Sequence, residues 1–139
     1  IWNAARFILQ ISKLKTKNEK VKTTTKNLKP TKDDAWILKE LEKTIKKTNS
    51  LMEKHQYGQA AELIYHFFWH QFCDKYIEST KTRRRQAQPT LVKVLTASLK
   101  LLHPFMPFIS EEIYQKLPTK DKKKSIGIEK WPGKQAPSN

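Results

Sequence analysis

The sequence predicts an all-α domain folded as an antiparallel helix bundle, with a short irregular or extended C-terminal segment. Apolar residues recur at spacings of three and four in successive stretches, the pattern of helices that each bury one face. Glycine occurs just 3 times in 139 residues, of which 37% are hydrophobic and 29% charged, a composition that suits helices better than sheet. At this length a single domain with its own hydrophobic core is expected. No internal repeat is visible.

Residues 1–14 read as the end of a helix, with Trp2, Ala5, Leu9 and Ile11 facing inward and Arg6, Gln10 and Lys13 elsewhere. Residues 15–32 are mostly Lys, Thr and Asn, with Val21 and Leu28 the main apolar positions. This composition predicts a flexible surface loop, a solvated tether whose charge can also brush a phosphate backbone. A second helix starts near Thr31–Asp34, which have capping-box spacing with Asp in place of the usual Glu. Leu38, Leu41, Ile45, Thr48 and Met52 form its buried stripe, and lysines 39, 43, 46 and 47 its other face. Tyr57-Gly58 marks a turn.

The third helix is expected to run to about Lys81. It is apolar on one side through Ala61, Ile64, Tyr65, Phe68, Phe72 and Tyr76, and on another through Leu63, Phe67 and Ile77. A helix apolar over more than one face belongs at the centre of a bundle. Arg83–Arg85 and Gln86–Pro89 read as a basic loop before a fourth helix from about Thr90. Pro104 and Pro107 then force a corner near His103, into which Phe105, Met106, Phe108 and Ile109 should pack. Ser110 is the expected N-cap of the resumed helix, with Glu111 and Glu112 in its first turn. Residues 118–124 read as loose, and Ser125–Ile128 as a short extended segment. The domain is expected to span 1–132 and a disordered tail 133–139.

The balance of 28 basic against 13 acidic residues gives a net charge of +15, which implies a polyanionic partner: RNA, DNA or an acidic membrane. A lysine-biased composition is the alternative source of that charge. One cysteine, Cys73, excludes an intrachain disulfide and fits a reducing, cytoplasmic compartment. No apolar run approaches the ~20 residues that span a bilayer. The chain opens inside a helical pattern and without a signal-peptide layout, so a fragment of a longer protein is expected.

No glycine-rich phosphate loop or nucleophile elbow exists. His66, His70 and Cys73 have the spacing of three zinc ligands on one helical face. They sit among aromatics without a second ligand cluster, which favours a structural reading and no metal. Glu111 and Glu112 point in different directions and read as capping charges rather than an acid/base pair. Two features suit single-stranded RNA. Arg6-Phe7 places a guanidinium beside an aromatic face, a platform for an unstacked base, although Phe7 also fits a core position. Glu78, ahead of Lys81 and Arg83–Arg85, can accept from the amino group of cytosine or simply pair with a lysine.

Three strings, Trp2-Asn3-Ala4-Ala5-Arg6-Phe7, Phe68-Trp69-His70-Gln71-Phe72-Cys73-Asp74-Lys75-Tyr76-Ile77-Glu78 and Leu102-His103-Pro104-Phe105-Met106-Pro107-Phe108, resemble the anticodon-binding helical domain of class I valyl-tRNA synthetases. The resemblance extends to Asp34-Ala35-Trp36-Ile37-Leu38 and Ile128-Glu129-Lys130-Trp131-Pro132. The proline string also occurs, more loosely, in leucyl and isoleucyl enzymes, whose equivalent domain is the alternative, beside a basic helical protein-interaction module. His70 and Tyr114 depart from the small polar residue and the Trp common at those positions.

The resemblance implies a bundle of the class I synthetase anticodon-binding type that grips the anticodon stem-loop of tRNA(Val). Valine anticodons end in adenine then cytosine. Residues matching Arg6 and Phe7 contact those flipped bases, and residues matching Ile77 and Glu78 lie at the same site; beside the resemblance, the charge of Lys81, Arg83, Arg84 and Arg85 suits weaker phosphate contacts. A catalytic domain elsewhere in the same chain, beside an editing domain, would attach valine using ATP and Mg, so this stretch alone should not aminoacylate and needs no cofactor. A monomer without membrane contact is expected.

Overall fold

The computed structural model describes residues 6, 10, 29–117 and 123–133. Helix α1 spans Lys32–Glu53 and α2 spans Tyr57–His66, which continues without a break as a π-helix, Phe67–Ile77. Helix α3 spans Arg84–Leu102, α4 spans Pro107–Lys116, and Ile126–Ile128 form a 3₁₀ turn. No strand occurs among the described residues. Short connections make successive helices antiparallel neighbours, as the sequence predicts. Arg6 and Gln10 are helical and exposed. Residues 15–28 and 134–139, parts of the expected loop and tail, lie outside the described residues.

Thr31 and Asp34 form the capping box read from their spacing. The Asp34 N–H donates to Thr31 Oγ1 at 3.4 Å, and the Thr31 N–H donates to Asp34 Oδ2 at 3.0 Å. Thr31 and Lys32 therefore belong to α1 and not to the preceding loop. The buried face of α1 is Asp34, Ile37, Leu41, Thr44 and Thr48. Leu38 and Ile45 flank it, half-buried, so the stripe is rotated from the expected one.

The third helix is central, since Ile64, Phe67, Phe68, Phe72 and Tyr76 are all within 1% of full burial. Its second half is wound as a π-helix, with i→i+5 bonding that a 3.6-residue period does not anticipate. Helix α3 begins at Arg84 and not near Thr90. Pro89 forfeits one bond to the Arg85 carbonyl on the exposed side, while Ala87, Gln88 and Leu91 are buried and hold the turn in place.

The proline corner breaks the helix at His103 as predicted, but the restart differs. Pro107 takes the first helical position, where its missing N–H costs nothing. Ser110 is consequently buried inside α4, bonded to His103 Nδ1 at 2.9 Å and to the Pro107 carbonyl at 3.1 Å. Phe105 and Ile109 pack on the core, whereas Phe108 is 90% exposed because α4 turns Ile109, Ser110 and Ile113 inward instead.

Glu111 is not a capping charge. It accepts from the Ile126 N–H at 2.9 Å and the Ser125 hydroxyl at 3.0 Å, fixing a C-terminal strap across α4. Burial opposes its charge, but these donors and Gln115 hold its carboxyl below the usual range. The strap ends on α1, where Trp131 Nε1 donates to Asn49 Oδ1 at 2.6 Å and Asn49 donates to the Pro132 carbonyl. Gly133 belongs to this contact and not to a tail. Its φ is +79°, and a Cβ there would lie 2.7 Å from Ile45 Cγ2.

At the opposite end of α1, about 22 Å away at 1.5 Å per residue, Asp34 is bound by two other elements. Tyr76 donates to Asp34 Oδ1 at 2.5 Å, and Arg83 Nη1 reaches Oδ1 and Oδ2 at 3.0 and 3.2 Å. Burial works against the carboxylate, but the Tyr76 hydroxyl, the Thr31 N–H and Arg83 outweigh it and lower its pKa. Burial and that same bond push the Tyr76 hydroxyl pKa up. Asp34→Ala should cost about 3–5 kcal/mol, because it strands a buried guanidinium. Denaturant unfolding checks this, with Glu62→Ala, exposed in the middle of α2, as a control that shifts stability by less than about 0.5 kcal/mol. A lowered folded pKa stabilises above the unfolded value and loses that contribution as pH falls through the folded value. The gap between wild type and Asp34→Ala should therefore narrow in acid.

Candidate nucleic-acid interface

Six of the predicted RNA-binding residues, Ile77, Glu78, Lys81 and Arg83–Arg85, lie along one stretch, the end of the π-helix and its connection into α3. Ile77 ends the π-helix and is buried in the core, 6% exposed. Its side chain faces the bundle because the π winding carries Phe72, Tyr76 and Ile77 inward together. Glu78 follows at the surface with its side chain 58% exposed, and Lys81 Nζ lies 2.8 Å from its carboxylate. The connection itself is rigidly built. Thr80 is fully buried and donates to the Ile77 carbonyl at 2.8 Å, Ser79 donates to the Tyr76 carbonyl, and the Arg83 N–H donates to the Thr80 carbonyl.

The Arg83 side chain, 17% exposed, turns inward to Asp34, with Asp33 3.8 Å from Nη2. Its guanidinium is already paired with a buried carboxylate, unlike the exposed positions beside it. Arg84 and Arg85 remain exposed in the first turn of α3. Cations at a helix N-terminus oppose the macrodipole, and a bound anion would relieve that mismatch. Arg6 is exposed, and Phe7 lies outside the described residues, so their placement beside Glu78 rests on the resemblance alone.

The exposed Glu78–Lys81 pair matters chemically because it is exchangeable. Pairs of this kind contribute about 0–1 kcal/mol, so Glu78 can leave Lys81 for another donor at little cost. A carboxylate oxygen accepts hydrogen bonds, which matches an exocyclic amino group.

The histidine–cysteine pattern does not converge. The π winding leaves His70 in solvent, 3.5 Å from Asp74, while Cys73 packs against the core and burial pushes its thiol up to about 11. Among the described residues no group of three or more His, Cys, Asp or Glu side chains is placed to hold a metal ion. Asp34 and Tyr76 are the residues that sequence reasoning missed at this site. The capping box made Asp34 visible, but its partners lie 42 and 49 residues away, with no local signal.

An all-α bundle with an exposed carboxylate–lysine pair and exposed arginines along one inter-helix connection has the build of a helical nucleic-acid-binding domain. The chain belongs to a defined family of that kind: residues 34–139 match the anticodon-binding domain of tRNA ligase. Similar proteins include the valine–tRNA ligase of Thermotoga maritima, 46% identical over 95% of this chain and 15% of that protein. That of Bdellovibrio bacteriovorus is 42% identical over 86% and 14%, and that of Aquifex aeolicus 38% over 96% and 13%. The chain thus spans 13–15% of the length of these relatives.

The two neighbouring arginines should separate cleanly. Arg83→Ala is expected to lower stability by about 3 kcal/mol by leaving Asp34 unpaired, and Arg85→Ala by less than about 0.5 kcal/mol. Thermal melts followed by circular dichroism check this, and equal melting points for the two variants would refute the assignment of Arg83 to the interior.

Proposed function

We propose that this chain is the anticodon-binding part of a valine–tRNA ligase and that it grips the anticodon stem-loop of tRNA(Val). The observation that carries the base-reading role is Glu78, an exposed carboxylate in an exchangeable pair on a connection pinned by buried Thr80. The similarity to valine–tRNA ligases supports valine over the leucyl and isoleucyl alternatives. In this reading Glu78 accepts from the amino group of the cytosine that ends the anticodon. Arg6 and Phe7 hold the flipped bases, and Ile77 supports Glu78 from within. Lys81, Arg84 and Arg85 face phosphates, and the +15 charge supplies affinity that falls with salt.

ATP and Mg act in the catalytic domain of the larger protein, which with its editing domain would be the intramolecular partner of this one. The protein works in the cytoplasm as a monomer. No helix among the described residues is long and apolar enough to cross a membrane.

Glu78→Ala should cost about 1–3 kcal/mol of discrimination between stem-loops ending in cytosine and in uracil at the third anticodon base. Equal loss of affinity for both RNAs would overturn the reading role. Arg85→Ala should weaken both RNAs alike and reduce the slope of log affinity against log salt by about 0.7–1. An unchanged slope would mean that Arg85 never meets phosphate. Fluorescence anisotropy across a salt series measures both effects.

A further inference from the structure

The connection that carries Glu78 is held at both ends by one side chain from a different helix. Tyr76, two residues before Glu78, and Arg83, the residue before α3, both bind the carboxylate of Asp34, at 2.5 Å and 3.0–3.2 Å. Between these anchors, Thr80 is the buried pin and Glu78 and Lys81 face solvent. Asp34 is itself locked by the Thr31 N–H at the start of α1. The loop therefore has the shape of a closed clasp with Asp34 as its catch.

We infer that Asp34 is a positioning residue for base discrimination: by fastening Tyr76 and Arg83 to one point, it fixes where the Glu78 carboxylate meets the base. This rests on the reading role proposed for Glu78. A buried ion pair is poor evidence for stability, since packed apolar residues often serve as well, and its best-attested use is to fix geometry. Here the pair lies where geometry matters. Immediately upstream is a π-helix, whose register a helical repeat does not set, and the reader sits on the clasped segment. Recognition by hydrogen bonds tolerates displacements of about 0.5 Å, so the catch acts on discrimination through position without touching RNA.

The experiment compares wild type, Tyr76→Phe, Arg83→Lys and Glu78→Ala. Each is titrated with stem-loops carrying cytosine or uracil at the third anticodon base, below the melting point of every variant. A purely structural defect removes a fraction of competent protein and lowers both affinities by the same factor, leaving their ratio untouched. The clasp instead acts on the ratio. Tyr76→Phe, which deletes one hydroxyl, should reduce cytosine preference by roughly three- to tenfold, equivalent to weakening one charge-assisted hydrogen bond. Arg83→Lys, which keeps the charge and loses the two-oxygen grip, should reduce it in the same direction.

An unchanged ratio in both clasp variants, with Glu78→Ala abolishing the preference, overturns the positioning role and leaves Glu78 as the reader. An unchanged ratio in Glu78→Ala overturns the reading role, and the clasp role falls with it. If Tyr76→Phe is too unstable to be titrated folded at any usable temperature, Arg83→Lys alone decides between these outcomes.

Discussion

Taking a carboxylate out of water costs several kcal/mol unless its lone pairs are filled, and this fold does so at Asp34, where three helices converge. Asp34 receives a backbone N–H from its own cap, a tyrosine hydroxyl from the central helix and a guanidinium from the start of the next. Those bonds outweigh the burial that opposes its charge. They also fix three relations at once: the entry of α1, the end of the π-helix and the beginning of α3. The opposite end of the bundle is closed differently, by a strap whose N–H and hydroxyl groups converge on Glu111 and whose Trp131 locks onto Asn49.

Charge is divided in the same spirit. The inward guanidinium, Arg83, serves the fold, while its neighbours Arg84 and Arg85 face outward on a helix terminus that disfavours cations. Lys81 holds Glu78 loosely enough to be exchanged. A rigid backbone beneath replaceable side-chain pairs allows a nucleic acid to displace one weak contact without remodelling the protein. In the proposed reading, long-range attraction from the +15 charge would bring the RNA in, and the Glu78 carboxylate would supply the discrimination that charge alone lacks.

Much of this was legible where the governing forces are local. The Thr31–Asp34 capping box, the central position of the aromatic helix and the break at the two prolines follow from spacing and from the chemistry of the missing proline N–H. The errors share a physical origin in tertiary contacts. Helix α3 begins before Pro89 because Ala87 and Gln88 are buried by other helices. Ser110 caps nothing because Pro107 already starts α4. Ser125–Ile128 coils into a 3₁₀ turn because Glu111 gathers its N–H and hydroxyl groups. At the candidate site, the pairing of Arg83 with Asp34 spans 49 residues, and an arginine cluster alone does not reveal which member turns inward. The motif resemblance pointed to the family to which the chain belongs, whereas composition alone gave only a basic helical domain.

The most direct measurement is a crystal structure of this chain bound to a valine anticodon stem-loop. The expected result places the Glu78 carboxylate about 3 Å from the exocyclic amino nitrogen of the third anticodon base, with Lys81 released and Asp34 still holding Tyr76 and Arg83. Cytosine bound elsewhere, with the Glu78–Lys81 pair intact, would contradict it.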